Sequence, residues 1–354
     1  MYRSNRTRWA AASAAVAFAL AIGASSGAAR AETWKFALEE VDGSVQDAFA
    51  EKLKELVEQR SNGDVTVEIY PYGTLGTSDD VTELVQTGAL QLANASPGHL
   101  GSTVPEMQVF SIPYVLSTKD AVNKKVLTGA DVIYEDLAKA VRAKGLELMT
   151  MYAEGQMVWT ANKKITAPDD FSNFKMRTMT SPLLVEAYKA FGANPTAMPY
   201  GDVYSGLQLG TIDGQVNPVF AIEEMKFYEV SDYMIYAGQQ EFTTSVVTGA
   251  NWYENLAEDK RALLDNAIDD ATDYIFDKQR SYNKERLANI KKAKPELEII
   301  ELTDEQRDVF RERAQRVRDK YVDMVGPSGK KILDKLVAAV AEAEKTVMDG
   351  GSMN

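Results

Sequence analysis

The chain has 354 residues, a net charge of −13, one His and no Cys. Without Cys there is no disulfide, thiol nucleophile or thiolate ligand, and one His cannot assemble the usual transition-metal sites. The acidic balance repels nucleic acid and anionic lipid heads, so neither a nucleic-acid partner nor stable membrane insertion is expected.

The first residues read as an export signal. Arg3, Arg6 and Arg8 precede an apolar, Ala-rich run at 9–23, and Ala29-Arg30-Ala31 has the A-x-A form of a cleavage site. The run is shorter than the roughly 20 apolar residues of a spanning helix. Removal of 1–31 would leave 323 of the 354 residues, a length that suggests two domains, in the periplasm. That segment holds four Arg and no acidic residue, so its loss takes the net charge from −13 to −17. Any pocket for an anion must then be locally basic.

Residues 34–39 (WKFALE) predict a strand, and 45–60 a helix with Val45, Phe49, Leu53, Leu56 and Val57 on one stripe. After the turn at 61–64, the alternation in 65–70 (VTVEIY) predicts a second strand, completing a β-α-β unit of the kind that builds parallel sheets. A short helix at 78–88 opens on Asp79 and Asp80, and a strand follows at 90–95. Strands are predicted at 146–152, 159–161 and 175–179. A helix at 181–191 has Pro182 in its first turn and Gly192 at its end. A short helix at 203–210, a strand at 214–217, a helix to about 228 and a long β-rich stretch at 241–251 come next. The last hundred residues hold three helices, 258–294, 303–324 and 328–348; Thr303 with Gln306 forms a capping box. Their charges read as solvated faces.

The fold class is therefore α/β: two lobes, each begun by β-α-β, in a hinged clamshell joined by shared strands and long C-terminal helices. The expected division is 32–155 mainly lobe I with 245–290 returning to it, 156–244 mainly lobe II, and 291–354 helices packing across both.

No catalytic machinery stands out. There is no Walker A loop, no G-x-G-x-x-G after a strand and no G-x-S-x-G elbow, and a Ser-His-Asp set would have to use His99. Carboxylate pairs abound, as a glycosidase needs, but nothing singles one out. No enzyme, metal site or cofactor is expected. His99 lies in a turn after a strand, and ligands of α/β sheets bind at such strand ends.

Arg177 begins R-T-M at 177–179, and Y-S-G-L-Q-L-G-T-I-D-G-Q-V-N-P follows at 204–218. With Leu75-Gly76, Gly88, Leu92 and Ile112-Pro113-Tyr114, this combination resembles the solute-binding proteins of TRAP transporters over essentially the whole mature chain. Within that family the chain looks most similar to members that bind ectoine and 5-hydroxyectoine. The stretches EEVDGSVQDAFA (39–50), ANASPGHLGS (93–102), MYAEGQMVWTA (151–161), RTMTSPLLVEAYKAFGA (177–193) and GQVNPVF (214–220) carry the likeness.

The resemblance implies lobe closure around a small carboxylate-bearing solute or zwitterion, without chemistry, and delivery to a two-part membrane permease. It gives Arg177 the solute carboxylate, which suits a planar guanidinium able to make two charge-assisted bonds. Asn217 would donate to the same carboxylate. Glu40, and less directly Glu154, would accept from a cation such as the ectoine amidinium. Tyr152, Tyr200, Phe220 and Phe242 would wall the pocket, each aromatic face attracting the cation by about 0.5–2 kcal/mol. The chain departs from the pattern at Tyr200, where a Trp is expected, at His99, where a Phe is expected, and at Ala221, where a bulkier residue is expected. A smaller, more polar pocket leaves a sugar acid, hydroxy acid or C4-dicarboxylate open, and transport is not separated from presentation to a sensor.

Overall fold

The computed structural model describes residues 31–351, so the expected export signal lies, but for its last residue, outside them. Among the described residues no helix is long and apolar enough to cross a membrane.

The strands, in chain order, are β1 (Glu32–Ala37), β2 (Val65–Tyr70), β3 (Leu92–Ala95), β4 (Leu146–Gln156), β5 (Val158–Ala161), β6 (Lys175–Thr178), β7 (Asn194–Ala197), β8 (Gly214–Asn217), β9 (Tyr233–Tyr236), β10 (Glu241–Gly249) and β11 (Glu298–Glu301). They form two sheets, β2-β1-β3-β10-β4 and β11-β9-β5-β8-β6-β7. In the first, β1 runs parallel to β2 and β3, and β10 antiparallel to β3 and β4. In the second, β6 runs parallel to β7 and β8, β9 parallel to β11, and β5 antiparallel to β8 and β9.

The first β-α-β unit forms where periodicity places it. Helix Val45–Arg60 is capped by the Ser44 hydroxyl, which accepts from the Asp47 N–H. Its stripe of Val45, Phe49, Leu53, Leu56 and Val57 is buried. In the second sheet the core is aromatic: Trp159 packs edge-on to Phe171, Tyr188, Phe191 and Phe310 and donates its indole N–H to the Tyr188 hydroxyl at 2.9 Å. Phe310 comes from helix Asp304–Val325, so the C-terminal region seals this sheet, while helix Pro327–Gly351 reaches Asp136 and Ser117 on the other side through Lys331, Lys335 and Glu344.

The chain passes between the sheets at Gln156–Val158, where β4 runs into β5, and at 237–240, where β9 leads to β10. The two crossings are bonded side by side: the Met157 N–H donates to the Gln240 carbonyl at 2.9 Å, and the Gln239 amide donates to the Met157 carbonyl at 3.1 Å. Helix Glu258–Ala293 spans 36 residues, about 54 Å at 1.5 Å per residue, and braces both sides. Its Asn283 donates to the Glu154 carbonyl in β4 at 2.7 Å and accepts from the Phe220 N–H beyond β8 at 3.2 Å. Its Arg286 bonds the Gly43 carbonyl and the Glu223 carboxylate.

Two details differ from the sequence division. β10 lies in the first sheet from Glu241 onward, and β11, in the stretch expected to hold only helices, joins the edge of the second.

Gly214 lets β8 lie close to its neighbours: a Cβ there would sit 2.6 Å from the Thr160 carbonyl oxygen and 2.6 Å from the Phe174 ring. Backbone cannot yield cheaply, so Gly214→Ala is expected to destabilise by about 1–3 kcal/mol, the usual cost of overpacking. A lowered urea midpoint with an unchanged slope is the readout.

Candidate functional site

The C-terminal ends of strands from both sheets converge on one small cavity, lined by Glu39, Glu40, His99, Arg177, Met179, Tyr200, Asn217 and Phe242. Glu39 and Glu40 follow β1, His99 follows β3, Arg177 and Met179 lie at the end of β6, Asn217 closes β8 and Phe242 stands in β10. The ends of parallel strands are where side chains and loops of an α/β sheet are free to meet a ligand.

Arg177 is 1% exposed and has no acidic partner among the described residues. Its Nε and Nη2 both donate to the Met198 carbonyl, at 3.0 and 2.7 Å. This carbonyl fixes the guanidinium plane on one side, and Nη1 has no hydrogen-bond partner among the described residues. Burial lowers its pKa to about 10, with Tyr200, Tyr72 and Asp202 opposing the shift, so it stays charged at neutral pH. Asn217 is held by donation from its amide to the Gln215 side-chain oxygen, and Gln215 donates in turn to the Thr160 hydroxyl at 3.0 Å. The Tyr200 hydroxyl is buried and without a hydrogen-bond partner among the described residues.

Opposite Arg177 stands a group of buried carboxylates. Glu40 accepts from the Gln46 N–H at 3.3 Å, and the Gln46 side chain donates to Glu154 at 3.2 Å. Burial, then the proximity of Glu154, raises the Glu40 pKa well above the usual carboxylate range. Burial likewise raises Glu154 to about 8. Glu224, after β8, is raised to about 9 by burial and then by Glu40, against the pull of Arg286. Glu39 is arranged differently: it accepts from the Ser96 N–H at 2.7 Å and faces the His99 Nδ1 at 3.1 Å.

Six of the sequence candidates therefore share the lining: Arg177, Asn217, Glu40, Tyr200, Phe242 and His99. Three stand outside it. Tyr152 is core: it stacks on Phe49 at 4.9 Å and its hydroxyl accepts from Asn94 at 2.8 Å. Glu154 lies behind Glu40, and Phe220 is wholly buried beside Asn283. Glu39 and Met179 were not singled out by the sequence reading, though a signal exists for each. Glu39 is the first of two consecutive carboxylates at a strand end, and Met179 is two residues from Arg177, hence on the same face of an extended chain.

Contacts also cross between the sheets around the cavity. The Tyr72 hydroxyl accepts from the Gly201 N–H at 3.3 Å, and its ring meets Tyr200 edge-on at 5.7 Å. The Gln108 side-chain oxygen accepts from the Ser181 hydroxyl at 3.1 Å and from the Leu183 N–H at 3.0 Å.

Groups of opposite sign, brought from two sheets to one shared cavity, define a two-lobed solute-binding protein. The family described as bacterial extracellular solute-binding protein, family 7, matches residues 36–323. The chain belongs to that family, the solute-binding proteins of TRAP transporters, and is not an enzyme. It is similar to the ectoine-binding periplasmic protein TeaA of Halomonas elongata, at 44% identity over 90% of this chain and 93% of the relative. It is also similar to the ectoine/5-hydroxyectoine-binding periplasmic protein UehA of Ruegeria pomeroyi, at 42% identity over 93% of this chain and 95% of the relative. The solved structure of the ectoine-binding protein of the TeaABC TRAP transporter of Halomonas elongata superposes with a TM-score of 0.85 at 43% identity, covering 88% of this chain and all of that one.

Proposed function

We propose that this protein captures ectoine or 5-hydroxyectoine in the periplasm and hands it to a two-part TRAP permease. The observation that carries the reading is Arg177, buried, charged and aligned by the Met198 carbonyl, with donors left for a carboxylate. Asn217 adds its second amide hydrogen to the same carboxylate. Glu40 takes the amidinium, Phe242 and Tyr200 cover its flat face, and Glu154 supports Glu40 from behind. A solute with one anionic and one delocalised cationic end matches this distribution of charge, whereas a dicarboxylate would set its second anion against Glu39 and Glu40. The A-x-A sequence before Glu32 supports export, and the two relatives, both named as periplasmic, support the compartment.

A thermal-shift screen of residues 32–354 tests the reading. Ectoine and 5-hydroxyectoine are expected to raise the melting temperature, by the equivalent of about 2.7 kcal/mol at a hundred times Kd. Succinate, galactonate and galacturonate are expected to leave it unchanged. A shift with one of these acids, and none with the ectoines, would replace the proposed solute.

A further inference from the structure

The roles above leave the two polar cavity residues Glu39 and His99 unused. Glu39 is 7% exposed and lines the cavity beside Glu40, yet it is not free to meet a cation. One oxygen accepts from the Ser96 N–H at 2.7 Å, and the other faces the His99 Nδ1 at 3.1 Å. A carboxylate can only accept, so Nδ1 is the nitrogen that carries the proton. The Ser96 hydroxyl, 3.1 Å from the same Nδ1, closes this side of the ring. The loop that carries the ring is set by Pro97, with the His99 N–H donating to the Ser96 carbonyl at 3.0 Å. The imidazole is thus fixed in orientation and tautomer. Its other nitrogen, Nε2, has no hydrogen-bond partner among the described residues, and the ring lines the cavity.

Neither the carboxylate nor the amidinium of the proposed solute needs this group, since Arg177 with Asn217 and Glu40 with its neighbours serve them. From the geometry we infer that His99, oriented by Glu39, reads a hydroxyl on the solute, so that the site prefers a hydroxylated zwitterion over its unhydroxylated counterpart. The inference rests on the function proposed above and narrows its ligand class. A hydroxyl suits Nε2 in either charge state of the ring: it donates to the neutral nitrogen and accepts from the protonated one. A solute without the hydroxyl leaves Nε2 sealed and unpaired on closure. Sites built to bond a substrate hydroxyl discriminate strongly against the analogue lacking it, because the buried partner is then unsatisfied. Glu39 is the positioning residue, acting on the solute only through the ring.

The test is titration calorimetry with ectoine and 5-hydroxyectoine on the wild type, His99→Leu and Glu39→Gln. The wild type is expected to bind 5-hydroxyectoine at least tenfold more tightly than ectoine, and His99→Leu to bring that ratio to within about threefold of unity. Because His99 is the only His in the sequence, nitrogen-15 NMR of the untagged protein reads its tautomer directly. The proton is expected on Nδ1, with the Nε2 resonance moving when 5-hydroxyectoine is added and not when ectoine is. Glu39→Gln is expected to lower the affinity ratio and to shift the tautomer population toward Nε2–H, a change that a purely structural role would not produce. Equal wild-type affinities, or a ratio unchanged in His99→Leu, would overturn the inference while leaving the proposed function standing. If His99→Leu does not fold, the wild-type ratio and the Nε2 response decide alone. Failure of both ectoines to bind would overturn the function and the inference together.

Discussion

Replacing Arg177 with Ala is expected to abolish measurable solute binding while leaving the unliganded protein folded. A guanidinium buried without a counter-ion is destabilising in itself, since desolvation of an ion costs several kcal/mol before any pairing. Two bonds to the Met198 carbonyl offset part of that cost, and an arriving carboxylate offsets the rest. Removing the cation therefore costs the free protein little but strands the solute carboxylate in a site with only neutral donors. Truncating one partner of a buried, hydrogen-bonded charge pair costs about 2–5 kcal/mol, roughly 30- to 5,000-fold in Kd. Arg177→Lys is expected to recover only part of the loss, because a point charge on a flexible stem cannot bond the carbonyl and a carboxylate in one plane. Calorimetry for affinity, with thermal melts of the free variants, separates the two effects. Unchanged affinity in Arg177→Ala would remove this residue from the role.

The second large effect is a proton balance. Glu154 at about 8 and Glu224 at about 9, with Glu40 raised well above its usual range, leave the empty site partly protonated at neutral pH. A cation placed against Glu40 favours the ionised carboxylate. Binding is thus expected to release about half to one proton near pH 7 and to tighten as pH rises toward 8. The groups that face these carboxylates are Arg177 across the cavity, Glu39 and His99 beside Glu40, and Arg286 behind Glu224. Calorimetry in two buffers of different ionisation enthalpy measures the release. A binding enthalpy that does not depend on the buffer would refute it, and Glu40→Gln is expected to remove most of it.

The same shifts fix the sign of the stability effect. A carboxyl raised on folding binds more protons in the folded than in the unfolded chain between its two pKa values. The cluster's contribution is therefore complete below about 4.5 and declines as pH rises through about 8 and 9. The melting temperature of the free protein is expected to fall across that window, and that of the liganded protein to fall less.

How far the sequence reveals these features depends on how local their causes are. The strands and helix of the first β-α-β unit announce themselves because each buries one face, and a buried face leaves a period of 2 or 3.6 in the residues themselves. The edge strands of the second sheet do not. β7 (NPTA) contains a Pro, tolerable only because it lies at the sheet's edge, and β11 (EIIE) is four residues long with exposed ends. Both are strands by pairing with a neighbour rather than by pattern. The region 97–145, which the sequence reading leaves without assigned elements, folds into helices including Asp120–Gly129. The site divides the same way. Arg177 and Asn217 are legible because they lie at strand ends within a distinctive segment. The withdrawal of Tyr152 into the core follows from its stack on Phe49, a partner 103 positions away that only the folded chain supplies.

The Tyr72 bond to Gly201 and the Gln108 bonds to Ser181 and Leu183 join the two halves without using a single solute atom. Each favours the arrangement in which the halves touch, whether or not a solute lies between them. The apparent Kd of a protein that binds in one of its conformations equals the intrinsic value divided by the fraction in that conformation. Strength of capture can therefore be set from the rim: a changed glutamine at 108, which lines no part of the cavity, would move every ligand's affinity by the same factor, leaving untouched the order in which the cavity prefers them.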